Sequence, residues 1–377
     1  MGRSTTPVVT SARAAGAPTP GSRSRRRGVR AALVASVALA LAGVAGCSAE
    51  APQTPDPSTV TPTIEPSRGT PPEPVVPIVW PLTGVETAEV AARPAVAVKI
   101  ENTSSARPQS GLEQADVVWE TIVEFEVSRF VAVFHSQVPA EIGPVRSVRP
   151  MDPAIVAPLR GLLVYSGGQP GILAMVKGST VQSISHDAGA AGLYRVKHRS
   201  APHNVYGSIE TFLTAADAEH SAAPGQQFAF ALRAEQATPT LSGTPAGTLA
   251  FTLSGAAHPT WTWDAASGTW LRAEGSTPAT VASGAQISAV NVVSITAEHP
   301  NSGFGAQNGA AVPTYNLVGE GDAVVATGGK TIAGRWSKTA DDAPMQLFTT
   351  DGQPLLLAPG NTWVEMIPAG SGSLAVS

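Results

Sequence analysis

Between residues 48 and 79 the chain sets proline at positions 52, 55, 57, 62, 66, 71, 72, 74 and 77, among Thr, Ser and Glu. Each proline removes an amide donor and favours extended polyproline geometry, so this stretch cannot supply a core. Globular folding is therefore expected to begin only at Trp80, and residues 47–79 read as a semi-stiff tether. At about 3 Å per residue such a tether reaches up to roughly 90 Å.

What the tether hangs from is legible in residues 1–46, which hold seven arginines, no lysine and no acid. Arg25-Arg26-Arg27-Gly28-Val29-Arg30 has the character of a basic n-region, residues 31–43 form an apolar h-region, and Val44-Ala45-Gly46-Cys47 closes the run. An apolar stretch of roughly 16 residues falls short of the ~20 that span a bilayer and carries signal-peptide flanks. Val-Ala-Gly-Cys resembles a bacterial lipobox, in which small residues fit the signal peptidase and the cysteine thiol is lipidated before cleavage. The expectation is a lipoprotein signal peptide over 1–46 and a protein anchored through lipidated Cys47 on the extracytoplasmic face of the bacterial cell membrane. Ser24-Arg25-Arg26 matches a twin-arginine signal only in part and leaves the export route open.

Cys47 is the only cysteine, which excludes an internal disulfide and a thiolate metal site. Without the first 46 residues the chain keeps 17 basic against 28 acidic residues, a net of −11. An acidic body lacks the basic surface that phosphate contacts require, so no nucleic acid is expected as a partner. No His-Glu-x-x-His or comparable ligand spacing is present, and neither a metal nor a cofactor is expected.

The length of 377 residues allows two domains. From Trp80 to residue 222, strand patterns alternate with helical ones: residues 94–100, 117–125 and 129–135 as strands, Asp152-Pro153 as a helix start, residues 162–165 as a short strand and Ser208 as a helix cap. Along residues 117–125, alternation puts Val117, Trp119, Thr121, Val123 and Phe125 on one face and Val118, Glu120, Ile122 and Glu124 on the other. Beyond 222 only short strand patterns separated by turns remain. The expected class is α+β, a mixed α/β domain over 80–222 followed by a β-rich domain over 223–377, sandwich or barrel.

Pro81-Leu82-Thr83-Gly84, Ala106-Arg107-Pro108-Gln109-Ser110-Gly111-Leu112, Ala115-Asp116-Val117-Val118-Trp119-Glu120, Ser128-Arg129-Phe130, Gly143-Pro144-Val145-Arg146-Ser147-Val148-Arg149 and Ala201-Pro202-His203-Asn204 resemble, in this order, the YerB-like lipoproteins of the DUF3048 family. The resemblance covers about residues 80–368 and implies an exported bacterial lipoprotein with two domains; it brings no reaction with it. One departure stands out. Where the family tends to have paired glycines after the acidic position, this chain has Phe125-Glu126, which weakens the expectation of a tight hairpin there and of Glu124 beside Arg129.

The charged residues from 107 to 150 hold the site candidates. Arg129, Arg146 and Arg149 suit bidentate recognition of phosphate or carboxylate, and the last two precede a helix start where free amides favour an anion. Set against this, Asp152 can satisfy those amides, and Asp116, Glu120 and Glu124 can pair with the arginines in a structural network. His203 and Asn204 sit in an irregular basic loop. With Asp116 or Glu120, His203 offers an acid and base pair; alone, it fixes the loop. Tyr165-Ser166-Gly167-Gly168 only half resembles a nucleophile elbow, and Trp261, Trp263 and Trp270 are either a sugar-binding face or core. Three functions remain open: a module binding an anionic cell-wall polymer fragment or acidic partner segment, an envelope hydrolase of phosphate or glycosidic bonds, and a scaffold joining envelope proteins.

Overall fold

The computed structural model describes residues 76–306 and 309–377. Cys47, the signal peptide and the tether up to residue 75 lie outside the described residues. The described residues fall within one compact unit.

Its first half is built on β1 (Val96–Glu101), β2 (Val117–Ile122) and β3 (Ser128–Phe134), every residue of which is buried. Such near-continuous apolar runs belong to strands covered on both faces. β2 and β3 form an antiparallel hairpin with Val117 opposite Val133, and β1 lies antiparallel along the other side of β3. β4 (Leu162–Tyr165) joins β1 in parallel and β5 (Gln182–Ser185) joins β4 in parallel. Parallel neighbours need crossovers, and α1 (Asp152–Val156) and α2 (Pro170–Lys177) lie on them.

The expected division at residue 222 does not interrupt the sheet. β2 pairs in parallel with the strand Thr362–Pro368, and the order continues through Asn291–Ala297, Gly319–Thr327, Lys330–Lys338 and Gln346–Thr349, making an eleven-stranded mixed sheet. The physical reason lies in β2 itself. In a free-standing 80–222 domain this fully buried strand would be an apolar open edge, a template for aggregation; the second half closes it.

A smaller six-stranded sheet, with Pro259–Asp264 and Thr269–Glu274 among its strands, packs against one face of the large sheet. Trp261 and Trp270 are 0% exposed there. Trp261 meets Trp363 edge-on at 5.3 Å, and Phe130 meets Trp363 at 5.0 Å, so these tryptophans are core. The opposite face is covered by α1, α2 and the buried residues Val312, Tyr315 and Leu317.

One consequence concerns limited proteolysis. Residues 221–223, 225 and 226 are exposed, as is Leu232, so cleavage is expected between about 222 and 245 after the tether is cut. The two fragments should still elute together in native gel filtration and part only in denaturant, because the ladder between β2 and Thr362–Pro368 crosses the cut. Separation without denaturant would mean that the halves fold independently.

Candidate functional site

At one end of the large sheet, an apolar face turns polar. β-strand register aligns Glu101 with Arg129 and Arg129 with Thr121, and side chains two residues apart share a face, so Lys99 joins them. Lys99 Nζ donates to Asp152 Oδ1 at 2.7 Å and Thr121 Oγ1 at 3.1 Å. Both Lys99 and Asp152 are 0% exposed, and burial draws the Lys99 ammonium down to about 8 in spite of Asp152. Asp152 Oδ2 also accepts from Arg149 N at 2.7 Å. The acid at the helix start thus fills the position an external anion would take at α1.

Residues 143–150 run past the end of β1, with Glu101 N donating to Pro144 O and Arg146 N to Lys99 O. This brings the arginines onto the polar patch in two distinct settings. Arg149 grips Glu124 with two nitrogens, Nε to Oε2 at 2.6 Å and Nη2 to Oε1, while Arg129 Nη2 reaches Oε1 at 3.4 Å. Both guanidiniums also donate to Ser147 O. The side chains of Glu124, Arg129 and Arg149 are 10% exposed or less. Burial alone would raise the Glu124 carboxyl, but the Arg149 hydrogen bonds and the charges of Arg129 and Arg149 hold it near about 2.

Glu124 reaches these arginines because the strand ends early. Phe125 and Glu126 have φ of 63° and 59°, a left-handed conformation that costs a residue with a Cβ about 1–2 kcal/mol. Contrary to the expectation raised by the missing glycines, the hairpin forms and Glu124 lies beside Arg129. Glu120 and Glu124, expected on one face, are separated: Glu120 stays on the face toward the smaller sheet.

The second setting is open. Glu101 is buried, but Arg146 and His203 beside it keep 20% and 28% of their side chains exposed. His203 Nδ1 lies 2.9 and 3.0 Å from the two Glu101 oxygens, Thr103 Oγ1 donates to Oε1 at 2.8 Å, and Arg146 Nε is 3.3 Å from Oε2. Arg146 Nη1 reaches Pro202 O at 3.3 Å. The loop carrying His203 joins β6 (Leu193–Arg195) to β7 (Val205–Gly207). Residues 195–204 contain Arg195, Lys197 and Arg199 and no acid. Arg199 pins the loop by donating to Ser105 O and Pro108 O, each at 2.7 Å. Asn204, a sequence candidate for ligand binding, instead fastens the loop, accepting from Arg195 and donating to Val196 O.

The carboxylates proposed as acid or base partners of His203 are elsewhere. Glu120, 0% exposed, takes Arg272 Nη2 at 2.8 and 3.1 Å, and Arg272 Nη1 donates to Glu274 at 2.6 Å. The Arg272 guanidinium also lies over the rings of Phe130 and Trp363. Asp116 accepts from His135 N, Ser136 N and Ser136 Oγ, which fixes the turn after β3; burial pushes its carboxyl up against those bonds. The residue that does pair with His203, Glu101, gave no signal beyond its place at the end of an apolar strand. Gly168 is small for packing: a Cβ there would stand 2.8 Å from Val148 Cγ1.

Comparison with known proteins follows the same chain order. Residues 82–222 match the N-terminal domain, and residues 249–364 the C-terminal domain, of the family described as "Protein of unknown function (DUF3048)". "Putative lipoprotein YerB" of Bacillus subtilis (strain 168) is 35% identical over 139 residues, 36% of this chain and 42% of that protein. The aligned part thus spans less than half of that relative. The crystal structure of YerB protein from Bacillus subtilis superposes with a TM-score of 0.66 at 24% identity, over 79% of this chain and 99% of that one, a likeness of fold. With both of its domains matched in order along one chain, the protein belongs to the DUF3048 family.

Proposed function

We propose that this protein is an exported, membrane-tethered lipoprotein whose first half binds an anionic group of a cell-envelope component, at the partly exposed patch where Arg146 and His203 meet Glu101 beside the basic loop 195–204. The observation that carries the reading is the Arg146 guanidinium, which keeps 20% of its side chain exposed in a field of excess positive charge while its buried Nε makes no hydrogen bond. Burial and the neighbouring Arg149 draw Arg129 down to about 9, and Arg146 adds to the repulsion while Glu124 and Glu101 oppose it. An incoming phosphate or carboxylate relieves that repulsion and finds a planar donor suited to it. The anchor at Cys47 is supported by the lipobox-like residues and by the name of the Bacillus relative.

Arg146→Ala is expected to weaken binding of inorganic phosphate, or of a phosphorylated wall-polymer fragment, at least tenfold, about 1.4 kcal/mol. Stability should change by less than about 1 kcal/mol, because Glu101 keeps its bonds from His203 and Thr103. Calorimetric titration and melting curves read both quantities. If no anion raises the wild-type melting temperature, the proposal fails.

A second reading has its own observation. Both oxygens of Glu101 face His203 Nδ1, an arrangement that places the proton on Nδ1 and leaves Nε2 as a base. A hydrolase of phosphate esters would use this pair in place of Glu120 or Asp116. His203→Ala separates the readings: a binding module keeps its anion affinity within about twofold, whereas a hydrolase loses turnover while still binding, because a general base acts in the transition state.

A further inference from the structure

Away from the Arg146 site, residues 314–318 run between the strands Ala311–Pro313 and Gly319–Thr327. Thr314 N donates to Pro300 O at 2.9 Å and Asn316 N to Glu298 O at 3.0 Å. Bonds from alternate residues are those of an extended chain, whose intervening amides point to the other side. The intervening residues are Tyr315 and Leu317, each 3% exposed, with the Tyr315 hydroxyl donating to Met366 O in the core. Among the described residues their amides have no hydrogen-bond partner, although backbone amides of folded proteins seldom go unpaired.

Both residues line a groove of about 490 Å³ with Pro150, Pro153, Met175 and Phe304 on its walls. A further hollow of about 450 Å³ shares Pro153, Met175 and Asp341 with it and extends the groove past Gly178 and Thr180. Met175 and Val318 are 42% and 51% exposed along it. The charged groups of the lining are all acidic: Glu298, Asp341 and Asp342. Lys338 nearby spends its ammonium on the carbonyls of Asp341 and Ala343. Glu298 accepts from Asn316, Asp342 pairs with Arg160 on the surface, and the Lys338 ammonium lies in the field of both Asp341 and Asp342, so three acids of the rim face two cations and the groove keeps an acidic excess.

We propose that this groove receives an extended peptide segment of a partner protein, which adds as a strand along the backbone of residues 315–317, sets apolar side chains against Met175 and Phe304, and carries lysine or arginine facing Glu298 and Asp341. Backbone pairing gives such a site its affinity, and the alternate pockets and the acidic rim give it selectivity.

The test pans a displayed library of random nonapeptides against the full chain, in parallel with Met175→Lys and Asp341→Lys. Both substitutions are at exposed positions and should leave the melting temperature within about 2 °C of wild type. Enriched peptides should carry basic residues beside alternating apolar ones, bind the wild type at least tenfold more tightly than either variant, and slow hydrogen exchange at the Tyr315 and Leu317 amides at least tenfold. The proposal is overturned by no enrichment over the variants, by enriched peptides without a basic bias, or by binding that leaves those two amides unprotected. Dimerisation of the free protein that protects the same amides would also overturn it, by giving the groove to a second copy of the chain.

Discussion

Arg149→Ala should destabilise the protein by about 3–5 kcal/mol, because it strips the two-nitrogen grip from a buried carboxylate. At about 2 °C per kcal/mol, the low end of the range and the one suited to so large a body, the melting temperature should fall by roughly 6–10 °C. This reverses what the spacing of the arginines suggests. In the sequence Arg146 and Arg149 look equivalent, but Arg149 is closed over Glu124 with two nitrogens, whereas Arg146 pairs with Glu101 at 3.3 Å and keeps 20% of its side chain exposed. A double-mutant cycle with Glu124→Gln isolates the pair: once the carboxylate is neutral, removing Arg149 should cost clearly less than in the wild type. The pH dependence provides a second check. Glu124 is held below its unfolded value, so its contribution is fully present above the ordinary carboxylate range and is lost as pH falls toward about 2. The destabilisation by Arg149→Ala should accordingly shrink in acid. A loss under about 1 kcal/mol at neutral pH would show that the pair is not structural.

The strands of the first half were legible because their apolar runs are short, rich in β-branched and aromatic residues and bounded by turn residues, with alternation to support residues 117–125. β2 and β3 fall within a few residues of their expected positions, and Asp152-Pro153 does open a helix. What could not be read is anything that depends on residues far apart in the chain. Glu101 and His203 lie 102 positions apart, and the pairing of β2 with Thr362–Pro368 joins segments separated by most of the folded chain. A one-dimensional pattern changes at 222, but it carries no information about which open edge the later strands close.

Arg272 is an instructive case between these. Along Thr269–Glu274 burial alternates, and the period of two places Arg272 on the same inward side as Trp270. A cation on the apolar face of a strand is a signal that a buried acid exists somewhere, and Lys99 in β1 is another. The identity of that acid was beyond reach. Phe125-Glu126 shows the converse: sequence chemistry argued against a tight turn, and the packing of the hairpin overrides it, with Ser254 Oγ donating to Glu126 O at 2.5 Å.

The largest single effect is expected at Arg272. The guanidinium is 0% exposed, and although burial opposes its charge, Glu120 and Glu274 raise its pKa above the usual arginine value. Glu120 and Glu365 are register neighbours across the seam between the two halves of the sheet. Glu365 is pushed well above the ordinary carboxylate range, first by burial and then by the charge of Glu120. Burial thus favours its protonated form, while Trp261 Nε1 donates to its Oε1 at 2.8 Å. Arg272→Met keeps volume but leaves Glu120 without its counter-ion, at a cost of about 5 kcal/mol or more at neutral pH. The sign of the pH dependence follows from Glu365. In the unfolded chain its carboxyl ionises near the ordinary value while the folded protein still holds the proton, so stability falls as pH rises from there toward the elevated folded pKa. In Arg272→Met nothing offsets the burial and the Glu120 charge that already raise Glu365, so the variant should be closest to wild type in mild acid and fall away as pH rises. Glu365→Gln, which copies the protonated acid, should flatten the same slope in the wild-type background and be neutral or stabilising at pH 7. Denaturant unfolding from pH 4 to pH 8 measures all three proteins; an Arg272→Met deficit that is constant across that range would show that the network is not held together by the charge on Arg272.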